Sequence, residues 1–428
     1  NLLSRKLVKV LMVNNNFFLR GGAERAFFDS INILEEAGHE VAHFSTKTNA
    51  DHSSPWRKYF VKYYELSDSA RFGSIEKMRI VGRIWYNFET RLKLRRLLSD
   101  FKPDVAHLHN IFHHLSPSVI DELKKQKIPI VWTLHDYKVV SPSYNLSVRG
   151  KIWEKNSKGR IHKCITDKCV YNSYLKSTVC VIESLLHKLL GTFNKVDYFI
   201  SPSDFLIDKY QEFGFCQNIE KVVNPVLVGA ANFEIEPWKL GIGDYKNGFI
   251  LYFGRLSTEK GLSDLIEAYA KIKTNIPLLI AGDGPEKEHL VLLARKLNVS
   301  GSVKFLGRLE KEKLFQIIAR ANFTVTPSRC YENAPYGLLE SMALGKTVIS
   351  SDLGGAREIV KRSNAGLLFT AGDVNQLKAK MEYAIQNKEE MFEKGLLGKL
   401  FIEKHYSKDV FYKRIMEIYQ NLTQGNVA

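Results

Sequence analysis

The sequence predicts two α/β domains, each a parallel sheet wound with helices, and three observations carry that expectation. Short apolar runs alternate with amphipathic helical patterns along most of the chain. The alternation falls into two series, separated by an irregular stretch at about residues 224–247. Glycines and charged residues cluster just past the apolar runs, where open parallel sheets bind their ligands. The length of 428 residues agrees, since it suits two or three domains of roughly 100–200 residues each.

The first series opens with a buried strand over residues 7–13 and a polar turn at 14–16. Gly21 and Gly22 then start a helix over 23–37, which Gly38 stops before a strand at 41–45. Residues 79–100 read as one amphipathic helix, with Ile84, Trp85, Phe88, Leu92 and Leu98 as its apolar stripe. Strands follow at 105–109 and 130–135, each entered from a proline turn (Pro103, Pro129) and joined by a helix at 117–125. A helix at 179–190 and a strand at 198–202 complete the series. The second series has strands at 249–254, 278–282, 303–306, 323–327 and 347–350, alternating with helices at 262–271, 286–297, 314–319 and 336–344. The expected division is therefore an N-terminal domain over 1–224, a linker over 225–247, a C-terminal domain over 248–405, and a last helix over 406–428 packing back on the N-terminal domain.

Composition narrows the function. With 45% apolar and 25% charged residues the chain can build a large core, which excludes a disordered or disulfide-stapled protein. Lysine and arginine number 62 against 46 aspartate and glutamate, a net charge of +16. Residues 1–200 hold 32 basic and 19 acidic side chains, so 32 − 19 = +13 of that charge sits in the first half. Between Arg57 and Lys102 twelve basic residues stand against five acidic ones, beside the aromatic residues Trp56, Tyr59, Phe60, Tyr63 and Tyr64. The basic, aromatic segment 46–82 reads as a cover over an acceptor groove or a lipid contact, and the charge as attraction to nucleic acid, to an anionic membrane, or simply as a solvated face. No nucleic-acid reading module or aromatic-basic platform accompanies it, which favours the membrane and argues against nucleic acid. No apolar run reaches the ~18 residues of a membrane span. Residues 1–6 lack both Met and a long apolar core, and read as the end of a fragment rather than a signal peptide. Five cysteines, Cys164, Cys169, Cys180, Cys216 and Cys330, suit a reducing compartment, hence a cytoplasmic location.

Gly21 and Gly22 before a helix offer free N–H groups to a phosphate, or form a plain tight turn. Arg255 and Lys260 flank a strand-to-helix turn at a spacing that lets both reach one diphosphate, or lie on the surface with no role. Glu332 falls in the loop after a strand and Glu340 one turn inside the next helix, with Pro335 near its start, so the two carboxylates can share one cleft. An acidic residue in a first turn often serves only the helix dipole. That explanation leaves the loop carboxylate beside Asn333 unaccounted for.

These segments together resemble glycosyltransferase family 4. The matching motifs are GGAERA, TLHDY, FGRLSTEKG at 253–261, LLIAGDGPEKEHL at 278–290, VKFLGRL at 303–309, Glu332 with Glu340, and SDLGGAREIV at 351–360. They span about residues 7–420. The resemblance implies a GT-B fold, two Rossmann-like domains with parallel sheets facing across an interdomain cleft. It further implies retaining transfer from a nucleotide-sugar, such as a UDP- or GDP-sugar, to a saccharide or lipid-linked saccharide in capsule, exopolysaccharide or lipopolysaccharide synthesis, at the inner face of the cytoplasmic membrane.

Under that resemblance Arg255 and Lys260 hold the donor diphosphate and stabilise charge on the departing phosphate. Gly22, with Gly21 before it, offers a backbone N–H to the same diphosphate. Glu340 binds the ribose hydroxyls. Glu332 binds the transferred sugar beside the backbone of Asn333, Ala334, Pro335, Tyr336 and Gly337, and His135 faces the reacting side unless a neighbouring carboxylate such as Asp136 occupies it. His109, Asn110, His113 and Lys138, with His114 and Tyr144, are candidates for the acceptor or are loop residues without a role. Paired carboxylates also serve glycoside hydrolysis, but the resemblance gives both to the donor and requires no protein nucleophile. The chain has no Asp-x-Asp triplet, so no metal is expected at the diphosphate and no cofactor beyond the co-substrate. Ser141, Trp153 and Asn156 stand where relatives tend to have Cys. Cys164, Cys169 and His162 fall short of the four ligands of a zinc site and read as structural thiols. A nucleotide-sugar epimerase on the same fold and a basic nucleic-acid-binding protein are the competing readings.

Overall fold

The computed structural model describes residues 7–64, 73–157, 159–227 and 247–424. The chain divides into two compact units: Asn1–Val148, Glu154–Pro225 and Lys408–Ala428 form the first, Arg149–Trp153 and Val226–Ser407 the second. Most of the expected linker, at 228–246, lies outside the described residues.

The first unit is built on six parallel strands: β1 (Lys9–Val13), β2 (Glu40–Phe44), β3 (Val105–Leu108), β4 (Ile130–Thr133), β5 (Tyr198–Ser201) and β6 (Ile219–Lys221). They lie in the order β6-β5-β4-β3-β1-β2. Val10, Leu11, Met12 and Val13 are all buried, as an unbroken apolar run must be when helices cover both faces of a parallel sheet. The connecting helices are α1 (Gly22–Glu36), α2 (Ser74–Trp85), α3 (Phe88–Phe101), α4 (Ser118–Lys125), α5 (Tyr174–Leu189) and α6 (Asp204–Glu212). Ser173 and Ser203 start α5 and α6 by accepting the N–H groups of Lys176 and Leu206.

Two expectations are corrected here. The helix expected over 79–100 is two helices, because Asn87 leaves helical geometry and its side chain accepts the Thr90 N–H at 3.2 Å, capping α3. The break rotates the stripe: Ile84 and Leu98 are buried as expected, but Phe88 and Leu92 are exposed, and Leu94, Leu97 and Phe101 join Leu98 on the buried face of α3. Within the aromatic segment Tyr59 and Phe60 are core rather than cover: Phe60 is buried against Phe17, with ring centroids 5.2 Å apart, and Tyr59 is buried, whereas Trp56, edge-on to Phe101 at 5.1 Å, Tyr63 and Tyr64 are half-buried. Part of that segment, 65–72, lies outside the described residues.

The second unit carries another six parallel strands: β7 (Ile250–Phe253), β8 (Leu278–Ala281), β9 (Val303–Gly307), β10 (Phe323–Thr326), β11 (Val348–Ser351) and β12 (Gly366–Phe369). Their order is β9-β8-β7-β10-β11-β12. Alternate residues face opposite sides, so Ile250, Tyr252, Leu278 and Ile280 join one apolar cluster and Leu251, Leu279 and Ala281 another. The helices are α7 (Leu262–Ala270), α8 (Lys287–Lys296), α9 (Lys311–Arg320), α10 (Tyr336–Ala343), α11 (Gly354–Ser363), α12 (Val374–Gln386) and α13 (Lys388–His405). Between 350 and 405 the sequence reading assigned no element, and the structure adds α11, β12, α12 and α13. The last helix, α14 (Lys408–Gln424), belongs to the first unit, where the Tyr419 hydroxyl meets His107 Nδ1 at 2.6 Å and Tyr412 meets His39 Nε2 at 3.0 Å.

Candidate active site

In the second sheet the chain winds outward in both directions from β7 and β10, which lie side by side. The connections after these two strands therefore leave in opposite directions and open a crevice at their carboxyl ends, the usual ligand position in such a sheet. Arg255 and Lys260 lie in the loop after β7, and Glu332 in the loop after β10.

Glycine lets these loops approach backbone to backbone. At Gly282 (φ +143°) an added Cβ would lie 1.9 Å from the Gly254 carbonyl oxygen, and at Gly261 (φ +70°) one would lie 2.0 Å from that of Pro327. The contacts are hydrogen-bonded: Leu256 N–H donates to Asp283 O at 3.0 Å, and Arg329 N–H to Glu259 O at 2.8 Å. The Arg329 guanidinium reaches the buried Asp264 carboxylate, tying the β10 loop to α7. From the other side, Gly354 and Gly355 begin α11 under Glu332. Gly355 N–H donates to Glu332 O at 2.6 Å, and a Cβ there would be 1.6 Å from the Asn333 carbonyl.

Within this frame Lys260 Nζ lies 2.5 Å from Glu332 Oε1, which also accepts the Ser328 hydroxyl at 2.8 Å. Burial raises the carboxyl pKa of Glu332, but the Lys260 ammonium and the Ser328 hydroxyl overcome it and leave the group below its ordinary value. Lys260 is correspondingly held above its own, burial being outweighed chiefly by Glu332. Beside them Cys330 is buried, which pushes its thiol up to about 12. Arg255 is exposed, and Tyr252 donates to its carbonyl at 2.9 Å. Asn333, Ala334, Pro335, Tyr336 and Gly337 are half-buried where α10 begins, and Glu340 is buried one turn inside it. Arg255, Lys260, Glu332 and the start of α10 thus belong to neighbouring loops of one sheet edge. Ser328, Gly354, Gly355 and the Arg329–Asp264 pair support them and had no assigned role. The paired glycines of SDLGG were the signal for two of these.

The remaining expected residues lie in the first unit. Gly22 opens α1, preceded by Gly21, both exposed at a helix start that no side chain caps. His135, just past β4, has Nε2 at 2.8 Å from Nδ1 of His109, just past β3. Burial lowers the His135 pKa to about 4, and burial with the neighbouring His107 and His135 takes His109 well below the ordinary imidazole value, so both rings are neutral. Asn110 N–H donates to Asn14 Oδ1 at 3.0 Å, joining the β1 and β3 loops. Lys138 is 3% exposed with Nζ 2.8 Å from the fully buried Glu183, and His113 Nδ1 is 3.6 Å from the same carboxylate. Cys180 is near enough for His113, Cys180 and Glu183 to present three ligand atoms within 4.8 Å of one another, but the Lys138 ammonium already neutralises that carboxylate. Cys164 and Cys169, expected as separate thiols, are joined in a disulfide, their Cα atoms 4.9 Å apart. The turn that follows the short helix Lys163–Thr166 brings them together, with Cys169 N–H donating to Cys164 O at 2.9 Å. Asn156 donates to Ser141 at 2.9 Å, a buried polar contact.

Two parallel-sheet α/β units of this kind are those of the GT-B fold. The family model described as "Glycosyltransferase Family 4" matches residues 20–226, and that described as "Glycosyl transferases group 1" matches 232–394. The chain belongs to glycosyltransferase family 4. It is 37% identical over 135 residues to a glycogen synthase of Mycobacterium tuberculosis, a match covering 30% of this chain and 32% of that enzyme, so it spans about a third of that relative. It is 23% identical over 363 residues to a 42.6 kDa protein in the cps region of Klebsiella pneumoniae, covering 82% of this chain and 87% of the relative. The solved structure of a sucrose-phosphate synthase from Thermosynechococcus elongatus has the same fold, with a TM-score of 0.72 at 16% identity over 98% of this chain and 100% of that one.

Proposed function

We propose that this glycosyltransferase moves a sugar, with retention, from a UDP- or GDP-sugar to a saccharide or lipid-linked saccharide at the inner face of the cytoplasmic membrane. The observation that carries the reading is the Lys260–Glu332 pair at the carboxyl ends of β7 and β10. A donor diphosphate entering there meets the Lys260 ammonium and the exposed Arg255 guanidinium, cations fixed before the leaving group develops charge. Their presence supports neutralisation of the phosphate by side chains rather than a metal. Glu332 then offers its second carboxylate oxygen to hydroxyls of the sugar, and Glu340 serves the ribose. His135 of the first unit, neutral through its burial, serves as a hydrogen-bonding group rather than a fixed charge. The acceptor oxygen forms its bond to the anomeric carbon on the face the phosphate leaves. The carbon–oxygen bond to the diphosphate breaks with its electron pair going to phosphate, and the acceptor proton passes to the departing phosphate oxygen.

Nucleotide release from UDP- and GDP-sugars, with a chelator present, tests the reading against Lys260→Ala and Glu332→Ala. Release that both variants lose is expected. A wild-type protein that binds no nucleotide-sugar defeats the proposal.

A further inference from the structure

Helix α5 is amphipathic in the inverted sense. Its inner face buries Ser177, Cys180, Glu183 and His187 beside one aliphatic residue, Val181, and the charged and ring groups are engaged within the first unit: Glu183 by Lys138 at 2.8 Å, His187 by Thr192 at 3.1 Å and by the Trp85 carbonyl at 3.0 Å. Its outer face carries Leu175, Ile182, Leu185 and Leu189, which are 74%, 39%, 47% and 86% exposed. Spacings of seven, three and four residues put all four on one stripe of the helix, about 21 Å long at 1.5 Å per residue. A water-soluble helix normally has the opposite arrangement. Tyr174, the first residue of α5, and Tyr171 in the turn before it are also exposed, and the rings of Tyr171 and Tyr174 face Lys176 Nζ at 5.0 Å and Lys168 Nζ at 4.3 Å. Against α5, through the Trp85 indole N–H to Val179 O at 3.1 Å, packs the C-terminal end of α2.

The charges around this surface point to its occupant. Between residues 168 and 190 the one acidic residue is Glu183, turned inward and neutralised by Lys138, whereas Lys168, Lys176 and Lys188 surround the stripe. A second copy of this chain would bring the same lysines against one another, and like charges across an interface are costly. An anionic phospholipid surface supplies both an apolar layer for the leucines and negative headgroups for the lysines, with tyrosines at the boundary between them. No helix among the described residues is long and apolar enough to cross a membrane, so α5 lies along the surface.

We infer that the outer face of α5 is a lipid-docking surface that seats its leucines in the interface of an anionic bilayer. It rests on the membrane part of the function proposed above and places the contact on α5, rather than on the aromatic segment whose Tyr59 and Phe60 are core.

Co-sedimentation of the full chain with phosphatidylglycerol and phosphatidylcholine vesicles tests it. Wild type is expected to partition onto mixed vesicles and not onto phosphatidylcholine alone. The triple variant Ile182→Ser, Leu185→Ser, Leu189→Ser should bind at least tenfold less while keeping its thermal midpoint, since all three side chains already face water. Lys176→Glu with Lys188→Glu should abolish the preference for the anionic lipid. A triple variant that partitions like wild type overturns the docking surface alone, whereas wild type bound to neither vesicle overturns the membrane reading itself. A lipid-free dimer, seen by sedimentation equilibrium and lost in the triple variant, assigns the stripe to self-association and also overturns the inference.

Discussion

Lys260 and Glu332 are 72 residues apart in sequence and 2.5 Å apart in space, because the strands that precede them, β7 and β10, are adjacent in the sheet. Each side chain holds the other in place at the proposed donor site. Lys260→Ala leaves a largely buried carboxylate without its cation. Partly buried pairs of this kind should lose about 1–2 kcal/mol of stability, less than the 3–5 kcal/mol of a fully buried one, since the two side chains are 29% and 16% exposed. Transfer should fall by about 10²–10³, the usual loss when one fixed group that stabilises a leaving charge is removed. The depressed Glu332 carboxyl contributes stability that is complete above its unfolded value and lost as pH falls through its folded one. Denaturant unfolding between pH 3 and 7 should therefore show the wild-type advantage over Glu332→Gln shrinking toward the acid end.

Gly355 is expected to tolerate no side chain. Its Cβ would meet the Asn333 carbonyl at 1.6 Å, so Gly355→Ala must push the Glu332–Asn333 backbone away from the β7 loop. Gly282→Ala should act alike on Gly254 and hence on Arg255. Each should cost about 1–3 kcal/mol, as overpacking commonly does, and should raise the KM for donor. Gly301→Ala, with nothing within 4 Å of its Cβ, is the neutral comparison. Donor KM and thermal midpoint, measured on all three, separate a moved loop from a general loss of stability.

How much of this was legible in the sequence depends on how local the cause was. Five of the six strands of the second unit could be read directly, since unbroken apolar runs between glycine turns have few other meanings, whereas β12 (Gly366–Phe369) went unread. Glu340 one turn inside α10 followed from Pro335. The pairing of Lys260 with Glu332 did not follow, because strand order is set by the whole sheet and no local spacing encodes it. The break at Asn87 was signalled by a capping residue three before Thr90, but the apolar residues on either side disguised it. Phe88 and Leu92 look like core and face water, whereas Glu183 and His187 look like surface and are buried. In both places a partner elsewhere in the fold overrides the local pattern.

The cysteines should separate into distinct chemical classes. Peptide mapping without reductant is expected to recover Cys164 joined to Cys169, while Cys180, Cys216 and Cys330 remain free. In the native protein only Cys216, the exposed one, should react rapidly with a thiol reagent. Cys330 is buried with its thiol pushed up to about 12, and burial raises Cys180 as well, so both should react only on unfolding. A second fast-reacting thiol would contradict the burial of Cys180 or Cys330.

Lys138 and Glu183 form the most deeply buried ion pair in the first unit among the described residues, 3% and 0% exposed. Burial lowers the lysine pKa, but Glu183 outweighs it and leaves the ammonium raised. Lys138→Met strands a carboxylate with no access to water and should cost about 3–5 kcal/mol, whereas Lys138→Met with Glu183→Leu should cost less than either single change, because the stranded charge is then gone. The sign of the pH dependence follows from the raised lysine: its contribution is complete below the unfolded pKa near 10.5 and declines as pH rises through the folded value. Urea unfolding of the two singles and the double at pH 7 should therefore show strong coupling, and the wild-type advantage over Lys138→Met should diminish above about pH 10.5. Additive losses at pH 7 would mean that the two groups do not hold each other, and that Lys138 is free to serve an acceptor after all.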